Sequence, residues 1–155
     1  LRDSKKIPEK ERKEIFFEVL YGAKDIGIGF SDVEVIDRVN ILEATKLAMA
    51  KAVRDLNEGP DLLLIDAVML PNIEIKQIPL IRGESKSAAI AAASVVAKVV
   101  RDGIMLEYHR AYPDYGFDKH KGYCTKGHME KVSKIGPCPL HRKSFRKVMT
   151  LMLPF

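Results

Sequence analysis

Apolar residues recur three and four positions apart behind Pro8. Ile15, Phe16 and Val19 form a stripe that predicts a helix over about 8–21, with Glu9 and Glu11 in its first turn and Gly22 as its stop. Residues 25–30 (Asp-Ile-Gly-Ile-Gly-Phe) alternate polar or small with apolar and predict a strand weakened by two glycines. Ser31 with Glu34, and Asn40 with Glu43, have capping-box spacing. They predict a short helix and then a longer one over about 41–56, whose buried stripe is Leu42, Thr45, Met49, Val53 and Leu56. Asn57-Glu-Gly-Pro60 breaks the pattern. Residues 61–66 then form an apolar run closing on an acid, which reads as a strand buried on both faces. Residues 73–81 alternate and carry Pro79, so they predict a second strand nearer the sheet edge. Glu84 and Ser85 are expected to open a long helix to about 112, and Pro113-Asp-Tyr-Gly116 to turn the chain. A Gly- and Lys-rich loop, a helix over about 125–135, a Pro-rich turn at 136–139 and a final helix complete the reading. Strands separated by helices argue an α/β fold, with a narrow sheet for that class.

With 155 residues, the chain suits one domain with a proper core, and 46% hydrophobic with 30% charged residues excludes a disordered or fibrous class. The longest run of small or apolar residues, 88–97, falls short of the roughly 18 that a membrane span needs, so no membrane partner is expected. Charged residues open the chain where a signal peptide would be apolar. Two Cys make no disulfide framework, and a reducing, cytoplasmic compartment is the expectation. Charge sharpens the picture. Residues 117–150 carry nine Lys or Arg against Asp118 and Glu130, a net +7 that exceeds the +5 of the whole chain. A basic end on a slightly acidic body suits a phosphate-backbone binder. A solvated Lys-rich helical face would have the same composition.

The candidate chemistry begins with Asp66, an acid at the carboxyl end of an apolar strand, where α/β proteins place ligand and metal groups. Glu84 follows the next strand, and two adjacent strand ends can present both carboxylates to one hard cation, Mg²⁺ or Mn²⁺. A Glu in a helix's first turn also serves the dipole alone. Ser94 and Lys98 lie four apart on one helix side and can reach a phosphate, although a Ser also bonds back to its own helix. In Lys119-His-Lys-Gly-Tyr123, Lys121 supplies charge, Gly122 allows close approach and Tyr123 can stack on a sugar or base, or else pack on the core. His141 and Arg142 can contact phosphates in the same way. His120, Cys124, His128, Cys138 and His141 have a spacing loosely like a zinc site, without a standard finger pattern.

Nine motifs bring these readings together. Asp3-Ser-Lys-Lys6, Asn40-Ile-Leu-Glu-Ala44, residues 60–66, Arg82-Gly-Glu-Ser-Lys-Ser87, Ala91 to Lys98 with Arg101-Asp102, Tyr112-Pro113, Gly116-Phe117, residues 119–123 and Pro139-Leu-His-Arg142 run in one order. The chain thereby resembles ribonuclease HII, the type 2 ribonuclease H family. The resemblance implies an RNase H-like fold, a mixed sheet flanked by helices, over 1–112, with a basic helical C-terminal extension over 113–155 as part of the same unit. It implies endonucleolytic cleavage of the RNA strand of RNA–DNA hybrids, and incision at single ribonucleotides in duplex DNA. The chemistry it implies is two-metal-ion hydrolysis with Mn²⁺ or Mg²⁺, leaving 5′-phosphate ends. Asp66 matches the third of four metal-binding acids. Glu84 stands where the fourth is an Asp, its extra methylene shifting its reach by roughly 1.5 Å. Tyr123 matches the residue at the ribonucleotide–deoxyribonucleotide junction sugar. Lys5, in the first motif, joins Ser94, Lys98, Lys121, His141 and Arg142 as candidate substrate contacts. The family's opening strand, Asp-Glu-Ala-Gly-Arg-Gly with the first two acids, has no counterpart in these residues, so the N-terminal strands are expected to be missing. A monomer is expected. The rival expectation is a truncated, catalytically inert nucleic-acid-binding remnant, and a zinc-stabilised binding module comes third.

Overall fold

A computed structural model describes Ser4 and residues 7–152, with side chains through Thr150. Lys5 lies outside the described residues. The chain divides into two compact units, one comprising residues through Ser31 and Thr45–Val100, the other Asp32–Ala44 and the residues from Arg101 on.

In the first unit, Pro8 stands before helix α1 (Glu9–Gly22), its fixed backbone feeding the first turn. Arg12 is the buried residue of α1, because its guanidinium donates to the carbonyls of Ser4 (3.0 Å) and Ile7 (2.7 Å). Ile15, Phe16 and Val19 are half-buried on the same side. Residues 25–30 are extended but form no strand. A Cβ on Gly27 would stand 2.0 Å from the Ala52 carbonyl oxygen, and one on Gly29 2.1 Å from that of Ala48. The two glycines thus let the segment lie directly on a helix. Its amides go to side chains instead of a ladder: Ile28 N–H donates to Asp55 (2.8 Å) and Ile26 N–H to Asp25 (2.8 Å).

Helix α2 (Val33–Val39) belongs to the second unit, and its cap is Asp32 rather than Ser31. Helix α3 (Ile41–Arg54) starts as its spacing predicts, with Asn40 Oδ1 accepting from the amides of Leu42 (2.9 Å) and Glu43 (3.1 Å). Its buried side differs from the predicted stripe. Ala44 and Ala50 are buried, Met49, Val53 and Leu56 are half-buried, and Leu42 and Thr45 are exposed.

Strands β1 (Leu62–Asp66) and β2 (Lys76–Leu80) pair in parallel, with Leu62 opposite Lys76 and Asp66 opposite Leu80. Among the described residues they make the whole sheet, which is parallel rather than mixed. The side chain of Gln77 shapes the crossover by accepting from Leu70 N–H (2.7 Å) and donating to the carbonyls of Leu70 and Ile73, 3.0 Å each. β1 is not buried on both faces. Ile65 is buried, whereas Leu62 and Leu64 are 39% and 37% exposed, because the described residues cover one face of the sheet. The buried side chains of this unit also include Leu70 and, from the long helix α4 (Ala88–Ala111), Ile90, Ala91, Val95 and Val96. Each such burial contributes about 1.5–3 kcal/mol for the larger side chains.

The second unit takes the end of α4, α5 (Phe117–His120), α6 (Lys126–Ile135) and α7 (Arg146–Met152). Thr125 caps α6 through His128 N–H (3.3 Å). Tyr115, Phe117, Val132 and Cys138 form its core, flanked by Met105, Tyr112 and Leu140. The turn before α7 is tied to α2, where Asp37 accepts from the amides of Lys143 and Ser144, 2.9 Å each, and from the Ser144 hydroxyl at 2.5 Å. These bonds outweigh the cost of partial burial and hold the Asp37 carboxyl below its ordinary value. Among the described residues, no helix is long and apolar enough to cross a membrane.

Candidate active site

The parallel register brings the end of β1 to the end of β2, and the next turn carries Glu84 to the same end of the sheet. Glu84 does not open α4. It sits in a single 3₁₀ turn, Gly83–Ser85, and α4 begins at Ala88, with Ser87 accepting the first helical bond from Ala91. The helix-dipole role weighed for Glu84 therefore falls away, since no α-helix starts there.

Gly83 links the two acids. Its N–H donates to Asp66 Oδ1 at 2.7 Å, and Glu84 is the next residue. Gly83 is buried, and a Cβ there would meet Ile90 Cδ1 at 2.6 Å and Asp66 Oδ1 at 3.3 Å. Glu84 is held at both oxygens. Ser94 Oγ–H donates to Oε1 at 2.5 Å, and Ser4 N–H donates to Oε2 at 3.1 Å. Ser94 spends its one hydrogen on Glu84, so the Ser4 hydroxyl donates to Ser94 across their 2.7 Å contact. Such charge-assisted bonds fix a carboxylate's direction while leaving further lone pairs on its oxygens. Asp66 itself is exposed.

Two left-handed non-glycine residues flank the pair, Ala67 at φ 59° and Arg82 at φ 57°. Each costs about 1–2 kcal/mol. Backbone strain at these two positions beside the carboxylates fits a site whose side-chain directions are set for use.

The donor set is oxygen throughout and suits a hard divalent cation, which one or two carboxylates hold while water and substrate phosphate fill the other positions. Among the described residues, no group of three or more His, Cys, Asp or Glu is placed to hold an ion. Lys98 is half-buried in the same unit.

The other candidates lie in the second unit. Tyr123 is 46% exposed, and the Arg101 guanidinium lies 4.9 Å from its ring centre. Lys121 is in the left-handed region at φ 48° and donates to the Asp118 carbonyl. Arg142 stacks over Phe145 at 4.8 Å. His141 is turned inward. It is buried, its Nδ1 accepts from Cys138 N–H at 3.0 Å, and its Nε2 meets His128 Nε2 at 3.1 Å. The zinc-like spacing thus resolves into stacked rings bonded to backbone: His120 and His128 lie 4.1 Å apart, while Cys124 is exposed. Burial holds His128 and His141 below the ordinary imidazole value, with their own neighbouring rings adding to the effect, and pushes the Cys138 thiol up.

Sequence reasoning missed Ser4 and Gly83 as supports of the acids. Gly83 left one signal, a glycine between two strands' ends and an acid. Ser4 left none beyond its motif.

The fold and site define an α/β protein with two carboxylates at adjacent ends of parallel strands. The ribonuclease HII family model matches residues 1–148. Ribonuclease HII of Clostridioides difficile (strain 630) is 52% identical over 147 residues, covering 95% of this chain and 58% of that protein. That of Chlamydia caviae is 53% identical over 151 residues, covering 96% and 70%. That of Bacillus subtilis (strain 168) is 47% identical over 150 residues, covering 97% and 58%. The chain belongs to the ribonuclease HII family. It spans about 58% of the length of several of the curated relatives it matches.

Proposed function

We propose that this chain carries part of the active site of a divalent-metal-dependent endonuclease. The enzyme hydrolyses the RNA strand of RNA–DNA hybrids and incises duplex DNA at single embedded ribonucleotides. The observation that carries this reading is the pairing of Asp66 and Glu84 through Gly83, with Gly83 N–H, Ser94 Oγ–H and Ser4 N–H directed at carboxylate oxygens.

Asp66 and Glu84 would hold Mg²⁺ or Mn²⁺. When bound, the cation supplies Lewis acidity at the phosphoryl oxygen and a water of lowered pKa. The chain's own residues do the rest. Gly83 N–H keeps one oxygen of Asp66 turned inward, so the other is presented outward. Ser94 and Ser4 stop Glu84 from swinging, which offsets the freedom of its extra methylene. Tyr123 offers a flat face to the sugar at the ribonucleotide junction. Lys121, Arg142 and the neighbouring cations hold phosphates, Lys98 supports the backbone near the acids, and Lys5 is assigned there by its motif. His141 acts from inside the loop rather than by touching phosphate. In the overall reaction a water oxygen bonds to phosphorus and the P–O3′ bond breaks, leaving a 5′-phosphate and a 3′-hydroxyl.

The test is incision of a duplex DNA with one embedded ribonucleotide, by the chain and by Asp66→Asn, with Mn²⁺ and with Mg²⁺. Metal-dependent incision that falls at least about 100-fold in Asp66→Asn supports the reading and requires other carboxylates to stand in for the family's first two acids, since misplacing a reacting group by an ångström already costs that much. Salt-sensitive binding with no incision would instead make the 155 residues a binding segment without the chemistry.

A further inference from the structure

We infer that His128 and His120 are positioning residues that fix the backbone of Tyr123, with His141 setting the tautomer of His128; the inference rests on the reading of Tyr123 as the sugar contact. The hydrogen bonds form one directed chain. His141 Nδ1 lies 3.0 Å from Cys138 N–H, 3.1 Å from its thiol and 3.3 Å from its carbonyl, and the shortest of these, to an N–H that can only donate, makes Nδ1 an acceptor and puts the ring hydrogen on Nε2. That hydrogen points at His128 Nε2, 3.1 Å away, which must accept. His128 therefore carries its hydrogen on Nδ1 and donates it to the Tyr123 carbonyl at 2.9 Å. No ring in the chain has a choice, because the Tyr123 carbonyl at the far end can only accept and imposes the same direction on both rings.

His120 completes the frame. Its Nε2 donates to the Tyr115 carbonyl at 2.8 Å, which leaves Nδ1 to accept from Gly122 N–H at 3.2 Å. Its own carbonyl accepts from Tyr123 N–H at 2.8 Å. Tyr123 is thus held at its N–H by His120 and at its carbonyl by His128, and the preceding amide is held by His120 again. The rings of His120 and His128 stack at 4.1 Å, so the two clamps move as one piece. Gly122, at φ 76°, takes the backbone through a bend that a side chain would resist. His128 and His141 are buried, whereas the Tyr123 ring is half exposed over Arg101. A rigid interior holding an outward aromatic is the arrangement a stacking contact requires, since a wobbling ring would forfeit its packing.

The readout is the ratio of affinities for a duplex with one embedded ribonucleotide and for the same duplex in all-DNA form, measured without cleavage. The chain is compared with Tyr123→Ala, His128→Leu and His128→Asn. Asparagine keeps an N–H near the Nδ1 position, so it should restore what leucine loses. The expected result is a ratio that falls about tenfold in Tyr123→Ala and in His128→Leu and recovers in His128→Asn, with all-DNA binding unchanged in the two His128 variants. A ratio lost in Tyr123→Ala but intact in His128→Leu overturns the positioning role and leaves the sugar contact standing. No preference in the unmodified chain, or one that survives Tyr123→Ala, sinks the sugar contact and the positioning role with it. Should His128→Leu not fold, nitrogen NMR of the unmodified chain decides: hydrogen on Nδ1 of His128 supports the relay, and hydrogen on Nε2 overturns it.

Discussion

Single atoms set the directions of both acids. Gly83 is the sharpest case, because its missing side chain makes room for Ile90 while its N–H binds Asp66. Gly83→Ala is expected to destabilise the chain by about 1–3 kcal/mol, as overpacking in a buried position does, with Ile90 forced from its place. Urea denaturation followed by circular dichroism checks this, and an unchanged midpoint would show that the pocket yields freely. Arg12 teaches a related lesson. It lies in phase with Ile15, Phe16 and Val19, so periodicity marks it as inward-facing although its charge argues otherwise. Two carbonyls receive its guanidinium, which is how a buried cation escapes its desolvation cost.

Among the elements, the stacked histidines tie α5, α6 and the turn at 136–139 to one protonation state. Burial depresses the folded-state pKa of His128 and His141 below the ordinary 6.5. The unfolded chain therefore binds more protons just below that value, and stability falls as pH falls. Their contribution is fully present above about pH 6.5 and shrinks as acid is added toward the folded-state values. Asp37 works in the same direction, but its window lies lower, below its ordinary 3.8. The urea midpoint should drop between pH 7.5 and 5.5, and drop less in His128→Asn; equal drops would remove the histidines from the account.

How legible these elements were depended on where their hydrogen bonds go. Asn40 announced α3 because a cap is a local device. β1 was legible from its apolar run and β2 from alternation. The segment at 25–30 misled because Asp25 and Asp55 satisfy its amides and its glycines serve a helix contact, which alternation cannot reveal. Glu84 and Ser85 look like the first turn of α4 in sequence, whereas that turn is 3₁₀ and serves the acids. Of the candidate site, Asp66 and Glu84 were readable from strand ends. The bonds linking Ser4, Ser94 and Glu84 span up to 90 residues of sequence and left no trace in it.

For the whole molecule, charge is the property that spacing cannot localise but sums correctly. The nine cations over 117–150 give the second unit the sign a phosphate backbone requires. Binding to duplex should weaken linearly on a plot of log affinity against log salt. Arg142→Ala should lower the magnitude of that slope by about 0.9, the amount one phosphate contact contributes. A slope unmoved by the substitution would take Arg142 off the backbone.

The two thiols of this chain stand in opposite circumstances. Cys138 is buried, and its thiol is pushed up by that burial, so it gives little of the nucleophilic thiolate. Cys124 is exposed and follows Tyr123 directly. A maleimide dye added to the native protein should accordingly settle on Cys124 alone. That would set a fluorescent reporter one peptide bond from the aromatic ring assigned to the sugar, with no cysteine engineered in or out.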